Sequence, residues 1–331
     1  MKTAPGEKAG NEARTGGTGA AADPAGNAGT GTAAVTVAGT VAILGRPNVG
    51  KSTLLNRIVG EKLAIVTPKP QTTRNRITGV YNGAPGQIVF VDTPGVHGAK
   101  KELNRFMLGE ALGIIPDIDA ALLIVDAGTD RPGDAEEKIL RALAEAKCPV
   151  VLGINKVDTV KNKEALLPRL ERWNQQPGLS ALVPISASRG TNVDRLVAEL
   201  WALLPKGPPL YEADQLTDRT ERFLAAELIR EQLFISLRQE VPYAVAVVVD
   251  EWNERAATSD VVISASIVVE RESQRAIVLG KGGAMIRDVG TRARLAISEL
   301  LQRPAHVKLT VRIEPDWTTS PLAMAELGYR A

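Results

Sequence analysis

Cysteine, long apolar runs and excess charge are all scarce in this chain of 331 residues. Its one cysteine, Cys148, cannot form an internal disulfide, so we expect a buried structural thiol and a reducing, cytoplasmic compartment. No apolar stretch approaches the roughly 20 residues that a membrane-spanning helix needs, so none is predicted. The net charge is only +2, and any binding of nucleic acid must therefore come from a local basic patch.

The first 34 residues have few side chains that could form a core, because 8 of them are glycine and 10 are alanine. This composition predicts a disordered tail over residues 1–34. The segment has neither the apolar centre of a secretion signal nor the Arg- and Ser-rich pattern of a transit peptide. We assign it no function.

Apolar runs of strand length alternate with helical patterns from Val35 to Pro205. This alternation predicts an α/β domain over residues 35–205, with a mostly parallel sheet covered by helices. The five predicted strands lie in "VTVAGTVAILG", "QIVFVDTPG", "AALLIVDAG", "CPVVLGINKVD" and "ALVPISAS".

Prolines end this pattern and predict a linker over residues 206–218. The remaining residues, 219–331, predict a smaller α+β domain with the element order α-β-β-β-α-β. Its third predicted strand is "RAIVLG", Arg275–Gly280.

A glycine-containing loop, "GRPNVGKST", follows the first predicted strand and precedes a helix. Its spacing fits the phosphate-binding pattern in which backbone N–H groups hold the α and β phosphates, the lysine reaches the β and γ phosphates and the serine binds Mg²⁺. A glycine turn without function would not explain a lysine and a hydroxyl at the next two positions. The nucleotide-binding residues predicted here are Gly45, Asn48, Val49, Gly50, Lys51, Ser52 and Thr53.

Later strand ends supply the rest of a GTP site. Asp92 ends a strand and is predicted to hold Mg²⁺ through water, with the Gly95 N–H facing the γ-phosphate. In "NKVD", the carboxylate of Asp158 can accept from guanine N1–H and N2–H₂, a pair that adenine lacks, so GTP is preferred over ATP. The remaining predicted contacts, which brace the base and the loop or reach guanine O6, are Asn155, Lys156, Ser186 and Ala187.

The polar segment "KLAIVTPKPQTTRNR", Lys62–Arg76, is predicted to be a mobile loop between the first helix and the next strand. We call it the switch loop, because a threonine in it could complete the Mg²⁺ shell only while the γ-phosphate is present. Thr72 and Thr73 both fit. We take Thr73 as the metal ligand and Thr72 as a nucleotide contact, although the sequence alone does not separate the two.

A second glycine loop, "GKGG", lies more than two hundred residues later. It is followed by "AMIRDV" and not by the Lys-Ser/Thr pair of a nucleotide cradle, which favours close approach of an RNA backbone. Residues 271–312 hold 9 Lys/Arg against 3 Asp/Glu, a local basic patch around the loop. The predicted RNA-binding residues are Gly280, Lys281, Gly282, Gly283 and Arg287.

These motifs in this order resemble the Era family of ribosome-associated GTPases. The resemblance rests on "GRPNVGKSTLLN", "PKPQTTRNRI", "DTPGVH" with "LNRFM", "NKVD", "EVPYAVAVVVDEW", "VERESQRAIVLGKGGAMIRDVG" and "ELGYR", and spans about residues 35–331. It implies that the second domain is a type II KH domain. It also implies a GTP-driven switch that binds the 3′ end of 16S rRNA and assists assembly of the 30S subunit, as a cytoplasmic monomer with peripheral inner-membrane association.

The resemblance also implies how hydrolysis is catalysed. Val96 occupies the position where Ras-like GTPases carry a glutamine, so no side chain there can orient the attacking water and intrinsic hydrolysis is expected to be slow. Asn48 matches an asparagine that binds K⁺ in related GTPases, with the ion standing in for an arginine finger. The predicted catalytic residues are Asn48, Lys51 and Thr73, and the predicted cofactors are GTP or GDP, Mg²⁺ and K⁺.

Two other functions fit parts of the pattern. A tRNA-modifying GTPase would share the phosphate loop and the apolar residue at Val96, but it needs a cysteine near the carboxyl terminus and an amino-terminal cofactor domain. An RNA-binding scaffold in which GTP only stabilises the fold would carry the same motifs. Comparing RNA affinity in the GDP and GTP states separates a switch from a scaffold.

Overall fold

One six-stranded sheet organises the amino-terminal half of the structure, a computed structural model that describes residues 36–96, 101–255 and 259–329. The tail predicted over residues 1–34 lies outside the described residues. In space the strand order is β2-β3-β1-β4-β5-β6, and every neighbouring pair is parallel except β2 with β3. Because β1 lies between β3 and β4, their carboxyl ends form the kind of crevice in which open α/β sheets bind ligands. The strands are β1 (Val37–Leu44), β2 (Ile77–Gly83), β3 (Gly86–Asp92), β4 (Ala120–Asp126), β5 (Val150–Asn155) and β6 (Leu179–Pro184).

Helices cover both faces of this sheet. Along β1, Val41 and Ile43 pack with α1 and α5, whereas Ala42 and Leu44 pack with α2, α3 and α4, and all four are fully buried. A strand buried on both faces is apolar at successive positions, which is why these strands stand out in the sequence as continuous apolar runs. The helices are α1 (Lys51–Val59), α2 (Glu102–Leu112), α3 (Asp134–Glu145), α4 (Leu167–Asn174) and α5 (Val193–Trp201).

The edge strand β2 is absent from the sequence prediction. Its sequence, "ITGVYNG", is interrupted by glycines and asparagine, and it pairs with β3 alone, in antiparallel register. On its other edge the Val80 N–H donates to the Leu216 carbonyl oxygen (2.8 Å) of the predicted linker. A strand that is held by partners distant in the chain need not form a continuous apolar run.

The predicted linker lies fixed along the sheet. Lys206 forms an isolated antiparallel bridge with Val37. Gln87 is fully buried on β3; its Oε1 accepts from the N–H groups of Leu210 and Tyr211 (both 2.8 Å), and its Nε2 donates to the Tyr211 carbonyl oxygen (2.9 Å). These bonds to a buried amide hold the segment that leads into α6 in one register.

The second domain is a three-stranded sheet, β7-β8-β9, with β7 antiparallel and β9 parallel to β8. Helices α6 and α8 cover one face, where Leu233, Ile267 and Ala293 are fully buried together. The elements are α6 (Glu221–Ser236), β7 (Ala246–Glu254), β8 (Val261–Val269), α7 (Glu272–Leu279), α8 (Ala284–Leu301), β9 (Ala305–Ile313) and α9 (Pro321–Glu326).

The prediction of a strand over Arg275–Gly280 is wrong, because these residues belong to helix α7 and its end. Gln274 Oε1 accepts from the N–H groups of Glu270 (2.9 Å) and Arg271 (3.2 Å), which satisfies backbone donors where the helix begins. The apolar run is only four residues long, and such a run fits a helix as well as a strand. The order is therefore α-β-β-α-α-β, followed by α9.

The predicted fold class, a mostly parallel α/β domain followed by a smaller α+β domain, is confirmed. Within the described ranges, none of the helices has the length and apolar character needed to cross a membrane.

Candidate nucleotide-binding and nucleic-acid sites

The first glycine loop joins β1 to α1 at the carboxyl edge of the sheet. Its glycines Gly45 and Gly50 have φ values of 144° and 99°, in the left-handed region. A Cβ atom at Gly45 would lie 2.3 Å from the Ile124 carbonyl oxygen, and one at Gly50 would lie 2.3 Å from Asn155 Nδ2. Only glycine therefore lets the loop turn tightly against β4 and β5 just before the positive end of α1.

Lys51, the first residue of α1, is almost fully buried. Its ammonium donates to the carbonyl oxygens of Gly45 (3.2 Å) and Arg46 (2.9 Å). Burial lowers the pKa of Lys51 from 10.5 to about 8, and the charge of Asp92 opposes this shift. Neutral carbonyl groups compensate a buried charge poorly, so an anion in the neighbouring cavity would stabilise the ammonium.

Asp92, at the end of β3, lies fully buried beside two hydroxyls. Its Oδ2 accepts from Ser52 Oγ (2.6 Å) and Thr73 Oγ1 (3.3 Å), and these two hydroxyls are 2.8 Å apart. Its Oδ1 is buried without a hydrogen-bond partner in the structure. Burial raises the pKa of Asp92 from 3.8 to about 6, against the opposing charge of Lys51. An unpartnered carboxylate oxygen next to two hydroxyls is an oxygen donor set that suits a hard cation.

The structure brings Thr73, and not Thr72, to this cluster. The Thr72 hydroxyl instead lies 2.7 Å from Thr67 Oγ1 and donates to the Lys69 carbonyl oxygen (2.8 Å). The choice that the sequence leaves open is therefore made by the path of the switch loop. Across the described ranges, no cluster of three or more His, Cys, Asp or Glu side chains could hold a metal ion. A cation at Asp92 would therefore be bound by one carboxylate and the hydroxyls of Ser52 and Thr73.

A cavity of about 420 Å³ opens between the first glycine loop and the switch loop. Asn48 joins its two walls, because its Nδ2 donates to the Pro68 carbonyl oxygen (2.9 Å). The residues that line it are Pro47, Asn48, Gly50, Lys51, Ser52, Thr53, Ile65, Val66, Thr67, Pro68, Gln71, Thr72, Thr73, Gly95 and Lys156.

Gly95, which lines the cavity, and Val96 follow Asp92 in the chain. A Cβ atom at Gly95 would lie 2.4 Å from the Pro47 backbone nitrogen, so glycine is required for the close approach of the two loops. Val96 is buried in the core with 1% exposure, and its N–H donates to the Gly45 carbonyl oxygen (3.1 Å). Its side chain thus serves packing.

Asn155, at the end of β5, ties together two loops. Its Nδ2 donates to the Val49 carbonyl oxygen (2.7 Å), and its Oδ1 accepts from the Ala187 N–H (2.9 Å). The predicted bracing of the first glycine loop by Asn155 therefore has a geometric basis. Of Ser186 and Ala187, which were predicted to place a backbone N–H near guanine O6, Ala187 has its N–H bonded to Asn155 in this structure.

Asp158 and Lys156 lie beside this brace. Asp158 Oδ1 accepts from Ser186 Oγ (2.7 Å), and its Oδ2 is 3.5 Å from Arg189 Nε, a partner that the sequence analysis did not identify. Lys156 pairs with Asp126 at the end of β4 (2.9 Å) and lines the cavity. The residues predicted to contact the base thus lie together at the ends of β5 and β6, beside the end of β4.

The second glycine loop joins α7 to α8. Gly280, Gly282 and Gly283 all have positive φ values, of 71°, 59° and 74°. A Cβ atom at Gly280 would lie 2.7 Å from Met285 Cβ, whereas one at Gly282 would meet nothing within 4 Å. Gly282 and the neighbouring Lys281 are exposed. The loop is therefore closed on its α8 side and open toward solvent at Gly282.

A groove of about 320 Å³ lies between β9 and α8, the helix that follows this loop. Its floor is apolar and Arg287 and Arg294 lie along it, a combination suited to a nucleic-acid strand that presents bases and phosphates. Of the lining residues only Arg287 was predicted from the sequence, although the alternation of apolar and polar residues in β9, "HVKLTVRI", offered a signal for Val307 and Leu309. The lining residues are Ile286, Arg287, Gly290, Thr291, Arg294, Val307 and Leu309.

Comparison with known proteins agrees with this division into two sites. Residues 40–156 match the family described as "50S ribosome-binding GTPase", and residues 240–318 match the KH domain family. GTPase Era of Geobacter metallireducens is 48% identical over 291 residues, which cover 88% of this chain and 97% of that protein. This chain belongs to the Era GTPase family. GTPase Era of Syntrophus aciditrophicus is 46% identical over 292 residues, 88% of this chain and 94% of the relative.

Solved Era structures have the same fold. A variant of Aquifex aeolicus Era bound to GDP·AlF₄⁻ superposes with a TM-score of 0.86 at 38% identity, over 89% of this chain and 100% of that one. An Era structure in complex with MgGDPNP and nucleotides 1506–1542 of 16S ribosomal RNA gives a TM-score of 0.85 at 38% identity, with the same coverage. The predictions of an Era-family GTPase and of a KH domain are confirmed.

Proposed function

We propose that this GTPase is a switch that binds the 3′ end of 16S rRNA through its KH domain and assists assembly of the 30S subunit. The relative whose structure contains MgGDPNP and 16S rRNA nucleotides supports the choice of ligands. The observation that carries the switch is that the loop bearing Thr73 is bonded directly to α6 of the KH domain, through Arg230 to the Thr72 carbonyl oxygen. α6 in turn contacts α8, because Arg292 donates to Ser236 Oγ (2.5 Å).

In this proposal the first glycine loop and Lys51 bind the phosphates of GTP. Ser52 and Thr73 would hold Mg²⁺ through their hydroxyls and Asp92 would hold it through water, in accord with the unpartnered Asp92 oxygen. The ion, when bound, neutralises charge on the phosphates. Lys51 adds a second positive charge, and its burial beside the cavity strengthens the electrostatic stabilisation of the phosphates.

Asp158 reads the base through its carboxylate, held in place by Ser186 and Arg189. Asn155 couples this end of the site to the first glycine loop. With Val96 buried, no side chain at that position orients the attacking water, so hydrolysis depends on charge neutralisation. Asn48 is proposed to bind K⁺ where the first glycine loop and the switch loop meet.

The second glycine loop and the groove between α8 and β9 are proposed to bind single-stranded RNA. Gly282 is open to solvent, so a phosphate can approach its backbone, and Lys281, Arg287 and Arg294 supply charge. The tRNA-modifying alternative gains no support, since this chain aligns with 97% of the length of an Era relative at 48% identity. Cytoplasmic location, peripheral membrane association and the monomeric state stay predictions, to be checked by cell fractionation and light scattering.

The test of the switch is RNA affinity in two nucleotide states. A fluorescent oligonucleotide that matches the 3′ end of 16S rRNA is titrated with protein loaded with GDP or with a non-hydrolysable GTP analogue. A switch requires a different affinity in the two states, because a ligand shifts an equilibrium only through differential affinity. Equal affinities would support the scaffold alternative.

A further inference from the structure

The KH domain holds the switch loop at several points before Thr73. Glu231 of α6 accepts from the Val66 N–H with Oε1 (3.0 Å) and pairs with Lys62 through Oε2 (2.6 Å). Lys69 donates to the Leu237 carbonyl oxygen (2.6 Å) at the carboxyl end of α6, where the helix dipole favours a cation. The loop is thus bound along α6.

Two further contacts fix the residues on either side of Thr73. On one side, the carbonyl oxygen of Thr72 accepts from Arg230, a fully buried side chain that also pairs with Glu227 (Nε to Oε1, 2.8 Å). On the other side, Arg74 leaves the loop and enters the KH domain, where it has no exposed surface. Thr73 therefore lies between two anchors in the second domain.

Arg74 is held there by neutral acceptors. Its Nη1 donates to the Val245 carbonyl oxygen (2.8 Å) and to Tyr329 Oη (3.3 Å), and its Nη2 donates to the carbonyl oxygens of Tyr243 (3.0 Å) and Pro242 (3.2 Å). The two terminal nitrogens of one guanidinium thus reach four acceptors, an arrangement that uses the fork geometry of arginine and that the single ammonium of lysine cannot reproduce.

Aromatic rings complete the surroundings of this guanidinium. Its central carbon lies 5.6 Å from the ring centroid of Phe234 and 5.8 Å from those of Trp317 and Tyr329. The rings of Trp317 and Tyr329 stack with centroids 5.5 Å apart and 18° between their planes. Desolvated cation–π contacts of this kind stabilise an arginine charge without a carboxylate partner. We call these three rings and the four acceptors of Arg74 the Arg74 cage.

We propose that Arg74 is a positioning residue for GTP hydrolysis, through which the KH domain holds Thr73 beside Ser52 and Asp92. The inference rests on the proposed role of Thr73 as a ligand of Mg²⁺. Movement of Thr73 away from Ser52 would withdraw the adjacent Arg74 from four acceptors and three rings, and would leave a buried charge or buried acceptors unpaired. The metal site of the first domain is therefore completed by the second domain.

The test compares Arg74→Lys with Arg219→Lys in the full chain. Arg219 is a matched control, because it also lies over an aromatic ring, with its guanidinium carbon 5.0 Å from the Phe223 centroid, and donates to the Arg76 carbonyl oxygen (2.5 Å), but it is not adjacent to Thr73. Two quantities are measured: the Mg²⁺ concentration for half-maximal hydrolysis, and the release rate of a fluorescent non-hydrolysable GTP analogue in Mg²⁺ and in EDTA.

Loss of a partner that orients a metal ligand typically lowers metal affinity by about ten- to a hundredfold, and we expect Arg74→Lys to raise the half-maximal Mg²⁺ concentration by about tenfold or more. Release of the analogue should be faster in Mg²⁺ and unchanged in EDTA, whereas Arg219→Lys should match the parent in both. A merely structural role would lower the melting temperature without changing the Mg²⁺ dependence. An unchanged Mg²⁺ dependence in folded Arg74→Lys overturns the proposal.

Should Arg74→Lys fail to fold, two variants of Tyr329 replace it. Tyr329→Phe removes one acceptor of the Arg74 cage, and Tyr329→Leu removes that acceptor and the aromatic ring. The Mg²⁺ requirement should rise in that order, and an unchanged value in Tyr329→Leu overturns the proposal. Thr73→Ala tests the proposed function separately. An unchanged Mg²⁺ requirement in Thr73→Ala contradicts the ligand role of Thr73, whereas a change in Thr73→Ala and none in Arg74→Lys contradicts only the role of Arg74.

Discussion

The two glycine loops of this protein differ in what surrounds them. At Gly45 and Gly50 an added Cβ atom would collide with groups of β4 and β5, and the neighbouring Lys51 is buried. At Gly282 an added Cβ atom would meet nothing, and the neighbouring Lys281 is exposed. Glycine thus serves tight internal packing beside the nucleotide cavity in the first loop and, at Gly282, access from solvent in the second. The first arrangement suits a small ligand that the protein surrounds, and the second suits a polymer that passes across the surface.

The largest effect is expected from Lys51→Ala. Removing the buried ammonium should lower GTP turnover by about a hundred- to a thousandfold, since it stabilises charge in an enclosed site. The measurement is phosphate release at saturating Mg²⁺, with the melting temperature as a control for folding. Ser52→Ala should lower GTP turnover in the same way. Near-normal turnover in Lys51→Ala would mean that the first loop is not the phosphate site.

Asp158→Asn tests whether the first domain recognises the guanine base as well as the phosphates. An amide in place of the carboxylate loses two charge-assisted hydrogen bonds to guanine, and GTP affinity should fall by roughly a hundredfold. Xanthosine triphosphate should then bind better than GTP, because its base presents an acceptor where guanine presents the N2 amino group. Competition binding with both nucleotides provides the measurement, and unchanged GTP affinity would remove Asp158 from the site.

Gly282→Asp and Lys281→Ala test the open loop. Asp tolerates the left-handed backbone and meets no neighbour, so the domain should fold, but its anion lies where phosphate approaches and RNA affinity should fall by about tenfold or more. Lys281→Ala should weaken binding less and reduce its salt dependence by about one charge. RNA titrations at two salt concentrations measure both, and basal GTP hydrolysis should survive in each. Normal RNA binding by Gly282→Asp would remove the loop from the RNA site.

The buried carboxyl group of Asp92 in the first site predicts that the stability of the protein depends on pH. The pKa of Asp92 is raised from 3.8 to about 6, so the folded protein binds this proton more tightly than the unfolded chain, and ionisation destabilises the fold as pH rises from about 4 to 6. Asp92→Asn should therefore stabilise the nucleotide-free protein by about 2 kcal/mol more at pH 7.5 than at pH 4. Thermal unfolding at both pH values measures it. A stability difference that is independent of pH would contradict the raised pKa.

The smallest effect concerns Asn48, which joins the first glycine loop to the switch loop. GTP hydrolysis by the parent protein should be several-fold faster in KCl than in NaCl, because one added positive charge at an exposed site stabilises the transition state by about that factor in rate. Asn48→Ala should abolish the difference between the two salts. Phosphate release in the two salts at equal ionic strength provides the comparison. Equal rates for the parent protein would exclude a role for K⁺.

Features that depend on residues close together in the chain could be predicted without the structure. A glycine loop with a lysine and a serine at fixed spacing creates its own backbone geometry, and apolar runs define strands that are buried on both faces. The first glycine loop, Asp92, the "NKVD" stretch and the second glycine loop could for this reason be predicted. The resemblance to Era added the family and the KH domain.

Tertiary structure alone decided what depends on distant partners. Thr73 and Thr72 are adjacent and chemically identical, and the path of the switch loop, which is anchored at Arg230 and Arg74, brings the hydroxyl of Thr73 and not that of Thr72 to Asp92. β2 is a strand because it pairs with β3. The residues "RAIVLG" are helical because they continue α7, a helix whose first turn is capped by Gln274 and of which only one face packs against the core. The Arg74 cage combines residues far apart in the chain, and the groove between α8 and β9 forms where these two elements pack against each other. Their formation follows from long-range packing, which local propensity and residue spacing do not encode.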